Sequence, residues 1–203
     1  MKKSKLYIFI SLIVLFIINT VLVVTNKYVS FDNTIHNLVI KLHSEVTTKV
    51  MKAFTFCGST SFIVGVAAGL FIIYLIKKRK EYAFSTVGVL IISTIINNVI
   101  KLIIRRPRPI YMTVIENTFS YPSGHMMAST TLYGFFIYLL IKSRYSKKYK
   151  IIYSIVLGLL ILCVGISRIY LGAHYFSDIF GGALMSLAIL VLFSMINDKK
   201  KWL

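Results

Sequence analysis

Acidic residues are scarce in this chain of 203 residues, which has six Asp and Glu against 24 Lys and Arg. Sites for magnesium or calcium need several oxygen ligands close together, and the sequence contains no multi-carboxylate set of that kind. The two cysteines, Cys57 and Cys163, fall in or beside apolar runs and form no Cys/His set with zinc spacing. We therefore expect no metal and no other cofactor, and we expect both thiols to be buried.

Long polar stretches are also rare, because 57% of the residues are hydrophobic and the mean hydropathy is +0.79. This composition excludes an ordinary soluble domain. A helix that spans a membrane needs about 20 mostly apolar residues. Six runs approach that length: Leu6–Val24, Phe54–Ile76, Ala83–Ile104, Met126–Ile141, Ile151–Tyr170 and Ile179–Ile196. The sequence therefore predicts an all-α bundle of six transmembrane helices, in a single integral membrane domain over residues 1–203.

The net charge of +18 would suggest nucleic acid as a partner if the protein were soluble. Here the basic clusters are short and lie beside the predicted spans, which argues against nucleic-acid binding. Fifteen of the 24 basic residues fall on one side of the membrane if the helices alternate, within 2–5, 77–80, 142–150 and 199–201. Because cytoplasmic loops are rich in Lys and Arg, we expect both termini in the cytoplasm. We expect the first helix to be retained, since no cleavage pattern follows Val24.

The first external connection, Asn26 to about Lys52, has apolar residues at helical spacing opposite polar ones. This pattern predicts an amphipathic helix on the outer face of the membrane, with Ser30 or Asp32 as its cap. Its simplest role is an interfacial anchor, and the alternative is a gate over a cleft through which lipids enter. We expect the histidines at 36 and 43 on this helix to be solvated.

Five basic residues lie at the external ends of spans three and five, against the charge bias. They are Lys101, Arg105, Arg106, Arg108 and Arg168. Polar residues recur at helical spacing along span three as far as Lys101, so we expect this face to look into the bundle. The arginines either extend to lipid headgroups or serve a site.

A second polar group opens span four, in the sequence Pro122-Ser123-Gly124-His125. Ser is a favoured N-cap, and the free N–H groups of a helix N-terminus attract anions such as phosphate. Gly124 would let an anion approach the backbone closely. His125 can give or take a proton near neutral pH. The alternative is a capped helix with an incidental histidine.

A third group joins spans five and six, where His174 and Asp178 are four residues apart and share a helix face. The carboxylate could hold one ring nitrogen as N–H and leave the other free as a nucleophile. Arg168 offers a planar fork suited to phosphate. With Glu116 and Asp178 as the only acids expected near this face, basic side chains and backbone amides would have to stabilise a bound phosphoryl group.

Together these groups resemble the three-part signature of the type-2 phosphatidic acid phosphatase superfamily, a group of lipid phosphate phosphatases. The matching elements are Lys101-x6-Arg108-Pro109, Pro122-Ser123-Gly124-His125 and Ser167-Arg168-x5-His174-x3-Asp178. They span residues 101–178 and depart from the signature at no key position.

The resemblance implies a metal-independent phosphatase with His174 as the nucleophile that becomes a phosphohistidine. It implies that Asp178 orients His174 and that His125 protonates the leaving alcohol. It further implies that the phosphate oxygens are held by Lys101, Arg108, Ser123, Gly124 and Arg168. Arg105 and Arg106 lie outside the signature and are expected to contact headgroups or the lipid interface.

The implied substrate is a lipid phosphate monoester, such as phosphatidylglycerol phosphate or phosphatidic acid, at the outer face of a bacterial cell membrane. The alternative substrate is undecaprenyl diphosphate. The motif residues would contact only the phosphate, so they do not distinguish one lipid tail from another. A transporter or lipid-binding scaffold is a second class, although the interrupted helices and repeats typical of transporters are missing. Beyond the lipid substrate and the bilayer, we expect no obligatory protein partner.

Overall fold

The computed structural model describes residues 2–111, 114, 116–200 and 203. In that part of the chain all regular structure is helical, which confirms the predicted all-α class. The helices are α1 (Lys2–Val24), α2 (Val29–Ile40), α3 (Glu45–Cys57), α4 (Thr60–Ile76), α5 (Lys80–Ile104), α6 (Gly124–Lys142), α7 (Lys147–Tyr170) and α8 (Phe176–Lys200).

Five of these helices are long and apolar enough to cross a membrane, namely α1, α5, α6, α7 and α8. The predicted second span, Phe54–Ile76, is broken instead of straight: α3 and α4 meet at an angle of 45° and qualify as a sixth span only together. The break occurs at Gly58 and Ser59, and the Ser59 hydroxyl accepts a hydrogen bond from the Phe62 N–H to begin α4. The protein is therefore a multi-pass membrane protein with five spans, or six if the bent pair counts as one.

Helices α6 and α8 form the centre of the bundle. Within their most apolar stretches, 44% of α6 and 56% of α8 is buried, against 17% of α1 and of α7. Helix α8 packs along α1 and α6, and α6 also packs along α5 and α7. Gly134 allows the central pair to approach closely, because a Cβ atom there would lie 2.6 Å from Leu190 Cδ1. At one end, the two central helices carry Gly124, His125 and Asp178 of the signature.

The predicted single amphipathic helix over Asn26–Lys52 is wrong in detail, because the segment forms α2 and the start of α3. Ser44 separates them, since its hydroxyl accepts a hydrogen bond from the Thr47 N–H and caps α3. Helix α2 packs against α7 and α8, which buries part of its polar side. Asp32 is 1% exposed and lies within α2, so it is not a cap, and Tyr28 precedes the helix without a side-chain cap.

Two further expectations about single side chains are wrong. His36 is buried and stacks on Tyr111, with ring centroids 3.6 Å apart, because α2 packs onto the bundle. His43, by contrast, is exposed and stacks on Tyr170 at 4.4 Å. Cys57 and Cys163 are only half-buried, since they lie on the peripheral helices α3 and α7.

Candidate active site

The structure brings the three predicted polar groups together at one end of the bundle. The end of α5 and the loop after it carry Lys101 and Arg108, α6 begins next to His125, and the loop between α7 and α8 carries His174. All four side chains line one cavity. Arg108 Nη1 lies 3.2 Å from His174 Nε2, so the first and third motifs are in direct contact.

His174 is buried, and its two ring nitrogens have different partners. A guanidinium can only donate hydrogen bonds, so Nε2 accepts from Arg108 and the ring proton belongs on Nδ1. Nδ1 lies 3.4 Å from Asp178 Oδ2 and 3.4 Å from Ser120 Oγ. Burial lowers the pKa of His174 to about 4, although the hydrogen bond with Asp178 acts to raise it. At neutral pH the ring is therefore uncharged and presents the lone pair of Nε2 to the cavity.

Asp178, which is completely buried, is held from several directions. Its Oδ2 accepts hydrogen bonds from the Tyr175 N–H at 2.9 Å and from the Ser120 hydroxyl. Its Oδ1 accepts from Arg106 Nη1 at 2.5 Å. These contacts fix the orientation of the carboxylate beside His174.

Arg106 does not contact headgroups as predicted, because its side chain turns into the bundle. It pairs with Asp178 and also with Asp32, whose Oδ2 lies 2.8 Å from Arg106 Nη2. The backbone at Arg105, at the end of α5, is left-handed with φ of 49°, and the chain changes direction there. The Arg105 side chain is exposed and donates to the Leu102 carbonyl at 2.9 Å. Asp32 is thus a third acid near the site, where the sequence suggested only Glu116 and Asp178.

The beginning of α6 leaves space for an anion. Ser123 is the predicted N-cap, and its buried hydroxyl accepts from the Met126 N–H at 3.4 Å. A Cβ atom at Gly124 would meet only Asn97 Oδ1, at 3.4 Å. The helix N-terminus is therefore open toward the cavity that Gly124 and His125 line.

Lys101 and Arg108 are both held by the loop before α6. Lys101 is 6% exposed and donates to the Phe119 carbonyl and, at 3.3 Å, to Thr118 Oγ1. Arg108 Nε donates to the Thr118 carbonyl at 2.7 Å, and Nη1 donates to the Ala173 carbonyl at 2.8 Å. Backbone oxygens thus place both cations beside His174.

Glu116 is paired with both arginines of the predicted phosphate site. It forms an ion pair with Arg168 Nη2, and its Oε2 lies 3.5 Å from Arg108 Nη2. Arg168 is 2% exposed, and its Nη1 also donates to Thr55 Oγ1 at 2.8 Å. Burial alone would raise the pKa of Glu116, but the charges of Arg168 and Arg108 lower it below the ordinary value. The carboxylate is therefore ionised at neutral pH.

The cavity of about 930 Å³ leads from these polar groups along an apolar passage between α4, α5 and α6. Its apolar walls include Ile63, Ala67, Phe71, Leu90 and Ile91, and its polar end includes the four side chains that converge there. No residue of 26–52, a range that the structure describes throughout, lines this cavity. The predicted gate helix therefore lies elsewhere, against α7 and α8.

Within the described residues, no group of three or more His, Cys, Asp or Glu side chains is arranged to hold a metal ion. The groups available to a bound anion are thus basic side chains, hydroxyls and the α6 N-terminus. The sequence profile of the PAP2 superfamily matches residues 82–202, more than half of the chain. The chain belongs to the PAP2 superfamily.

Two relatives of known name are similar to this chain in sequence. The chain is 32% identical to phosphatidylglycerophosphatase B of Bacillus subtilis over 95% of its own length and 96% of that protein. It is 35% identical to mouse sphingosine-1-phosphate phosphatase 1 over 48% of its own length, but only 24% of that protein.

Two solved structures have a similar fold. The crystal structure of a transmembrane PAP2-type phosphatidylglycerolphosphate phosphatase from Bacillus subtilis aligns with a TM-score of 0.85 and 30% identity, covering 96% of this chain and 97% of that one. LpxE from Aquifex aeolicus aligns with a TM-score of 0.61 and 20% identity over 80% of this chain and 92% of that one, which shows a shared fold. The resemblance predicted from the three motifs is confirmed.

Several residues at this PAP2 site were not identified from the sequence. Thr118 and Ser120 precede the second motif, and Tyr175 lies inside the third at a position that the motif leaves open. Each contributes a hydroxyl or backbone group that carries no recognisable pattern. Asp32 lies one turn before His36 on the same face of α2, but this spacing alone does not show that the face is buried and needs a partner such as Arg106.

Proposed function

We propose that this membrane lipid phosphatase hydrolyses the terminal phosphate monoester of phosphatidylglycerol phosphate through a phosphohistidine on His174. The observation that carries the proposal is the contact of His174 Nε2 with Arg108 Nη1, at 3.2 Å, in a cavity shared with Lys101 and His125. This arrangement places a neutral nucleophile beside cations that can bind the phosphoryl oxygens. The name of the Bacillus relative supports the choice of substrate.

In the first step, Nε2 of His174 attacks phosphorus, so a P–N bond forms as the bond between phosphorus and the lipid oxygen breaks. Arg108 exchanges its contact with Nε2 for a phosphoryl oxygen, assisted by Lys101 and Arg168. Asp178 stabilises the positive charge that develops on the ring, because it faces Nδ1. His125 gives the leaving lipid oxygen its proton and so releases a neutral alcohol.

In the second step, water attacks the phosphohistidine and the P–N bond breaks. His125 takes a proton from this water, since it lost its own proton in the first step. The products are inorganic phosphate and the dephosphorylated lipid. Each histidine then returns to its starting state, and the reaction needs no group beyond those at the site.

The apolar passage fits a lipid tail. Its volume of about 930 Å³ lies within the range of ligand sites, and its walls on α4 and α5 belong to membrane-spanning segments. A lipid could enter sideways from the bilayer with its phosphate toward His174. With both termini in the cytoplasm, this end of the bundle faces the outside of the cell.

Undecaprenyl diphosphate is the second candidate substrate. A neighbouring cavity of about 570 Å³ has Lys101 and Arg108 in its wall and is also lined by Asn98, Asn117 and Thr118. It would accommodate a second phosphate beside the one that is attacked. The two cationic side chains would then bridge both phosphates of the diphosphate.

The test is phosphate release by the purified protein from phosphatidylglycerol phosphate, phosphatidic acid and undecaprenyl diphosphate, side by side. We expect the highest kcat/KM with phosphatidylglycerol phosphate, and a loss of about 10³-fold or more in kcat for His174→Ala. His43→Ala is the matched control, because this exposed histidine lies outside the site and should leave turnover unchanged.

The covalent step has its own readout. Substrate labelled with ³²P, quenched in alkali, should label wild-type protein and leave His174→Ala unlabelled. Retention of turnover in His174→Ala would contradict the mechanism and would mean that another group attacks phosphorus. A higher kcat/KM with the diphosphate would make the second candidate the substrate.

A further inference from the structure

Arg106 occupies a position that the chemistry assigned above does not use. Its guanidinium lies between two buried carboxylates, with Nη1 at 2.5 Å from Asp178 Oδ1 and Nη2 at 2.8 Å from Asp32 Oδ2. One face of the guanidinium also covers the Tyr175 ring, with its carbon 4.2 Å from the ring centroid. Both terminal nitrogens and one face are thus engaged away from the phosphate position.

Asp32 connects this arginine to the backbone that follows the nucleophile. Its Oδ1 accepts from the Ser177 N–H at 2.9 Å, and its Oδ2 accepts from the Ser177 hydroxyl at 2.6 Å. Arg106 Nη1 also donates to this hydroxyl, at 2.7 Å. Asp32 comes from α2, so a helix outside the signature is attached to the first turn of α8, where Asp178 lies.

Two carboxylates share one guanidinium here, so the charges of the three groups do not cancel. Asp178 must be ionised to face the Nδ1–H of His174, and an unpaired buried carboxylate is very unfavourable. Arg106 supplies the counter-charge. If it paired with Asp178 alone, it would draw the carboxylate away from His174 and weaken the field on the ring. Asp32 binds the other terminal nitrogen of the guanidinium. The trio of Asp32, Arg106 and Asp178 then carries one net negative charge beside His174.

Only arginine suits this position. Two carboxylates on opposite sides require two separate nitrogen donors in a rigid plane, whereas a lysine offers one compact charge that cannot reach both. If Arg106 supplied only positive charge, a lysine would serve equally well. The contacts on two sides therefore indicate that Arg106 positions the carboxylates.

We propose that Arg106 and Asp32 form a positioning pair that holds Asp178 ionised and oriented toward His174 during transfer of the phosphoryl group. The inference rests on the proposed phosphatase function. It makes α2 part of the catalytic apparatus, where the sequence suggested an anchor or a gate. Neither residue lines the cavity that takes the attacked phosphate, so their loss should reduce turnover and leave the affinity for phosphate nearly unchanged.

The experiment measures kcat, KM and the competitive Ki of inorganic phosphate for Arg106→Gln, Arg106→Lys, Asp32→Asn and the double variant Asp32→Asn/Arg106→Gln. We expect Arg106→Gln to lower kcat about 10- to 100-fold, the usual effect of removing a group that orients a functional side chain. Arg106→Lys should fall between this variant and wild type. The Ki should stay within about threefold of wild type in every variant, because the phosphate donors are unchanged.

Coupling between the two residues is the second expected result. Asp32→Asn should lower kcat less than Arg106→Gln. The double variant should be no slower than Arg106→Gln alone, since the charge of Asp32 acts through the arginine and an Asn side chain can still accept the hydrogen bond from the Ser177 N–H. Titration of the phosphate-binding sites distinguishes misfolding from a loss of positioning. Misfolding lowers the number of sites, whereas a loss of positioning lowers the turnover of each site.

Arg105→Gln is the matched control, because it removes the same charge from the adjacent, exposed residue. The proposal is overturned if Arg106→Gln keeps kcat within about twofold of wild type, or if it raises KM and Ki tenfold at constant kcat. If neither Arg106 variant folds, Asp32→Asn decides, and an unchanged kcat there overturns the proposal. Absence of lipid phosphatase activity in the wild type would instead refute the proposed function.

Discussion

Replacing Glu116 with Gln should strengthen the binding of inorganic phosphate. In the structure this carboxylate pairs with Arg168 and lies 3.5 Å from Arg108 Nη2, so it occupies the arginines that we assign to the phosphoryl oxygens. A substrate phosphate must either displace it or bind beside it. Gln keeps the size of the side chain and removes the competing charge.

The expected magnitude follows from the two ways in which the phosphate can be accommodated. If Glu116 stays in place, a dianion on the same guanidinium lies about 5 Å away, and at an effective dielectric constant of about 20 the repulsion is about 7 kcal/mol. If Glu116 rotates away, the loss is that of a partly exposed ion pair, about 1–3 kcal/mol. Its side chain is 24% exposed, so rotation is available and the smaller cost applies.

A gain of 1–3 kcal/mol corresponds to a Ki for phosphate about five- to 150-fold lower than that of wild type. The assay is competitive inhibition of lipid hydrolysis by inorganic phosphate. Glu45→Gln is the matched control, because Glu45 also pairs with a basic residue, Lys49 at 2.6 Å, but is 83% exposed. An unchanged or higher Ki in Glu116→Gln would refute the reasoning and would mean that Glu116 orders the arginines for phosphate.

Two further predictions concern the chemistry. Because burial lowers the pKa of His174 to about 4, the ring stays neutral as pH falls from 7 to 5, and kcat should be lost only below about pH 5. An acidic limb centred above pH 6.5 would contradict this assignment, and Asp178→Asn should move the limb to lower pH, since Asp178 raises that pKa. Activity should also persist in excess EDTA, because the mechanism uses only side chains, and strong inhibition that added metal reverses would contradict it.

The sequence predicted the membrane bundle and the residues of the three motifs because these features are local. A span is a continuous apolar run, and a motif such as Pro122–His125 keeps its residues adjacent in the chain. Convergence of the motifs followed from helix alternation, which places the ends of spans three and five and the start of span four on one side. The contact between Arg108 and His174 agrees with that reasoning.

The remaining parts depended on packing that no local pattern encodes. Asp32 looked like a cap in an amphipathic helix, and its burial became visible only once α2 packed against α8. Arg106 looked like its neighbour Arg105, and the left-handed turn at Arg105 sends the two side chains in different directions. The break between α3 and α4 is different, because the sequence marks it with Gly58-Ser59-Thr60-Ser61, which interrupts the apolar run that was predicted as one span.

The scarcity of acids acquires a different meaning once these contacts are known. Of the six acidic residues in the chain, Asp32, Glu116 and Asp178 surround the site. The two aspartates are bound to Arg106, and only Glu116 faces the other cations. Lys101, Arg108 and Arg168 then offer a positive charge of three, which Glu116 reduces to two. A phosphate monoester at neutral pH carries a negative charge close to two, which the three cations and Glu116 together match. The trio of Asp32, Arg106 and Asp178 adds one negative charge, which faces the His174 ring and balances the positive charge that develops there during transfer. In an acid-rich chain further carboxylates near this end would remove that balance.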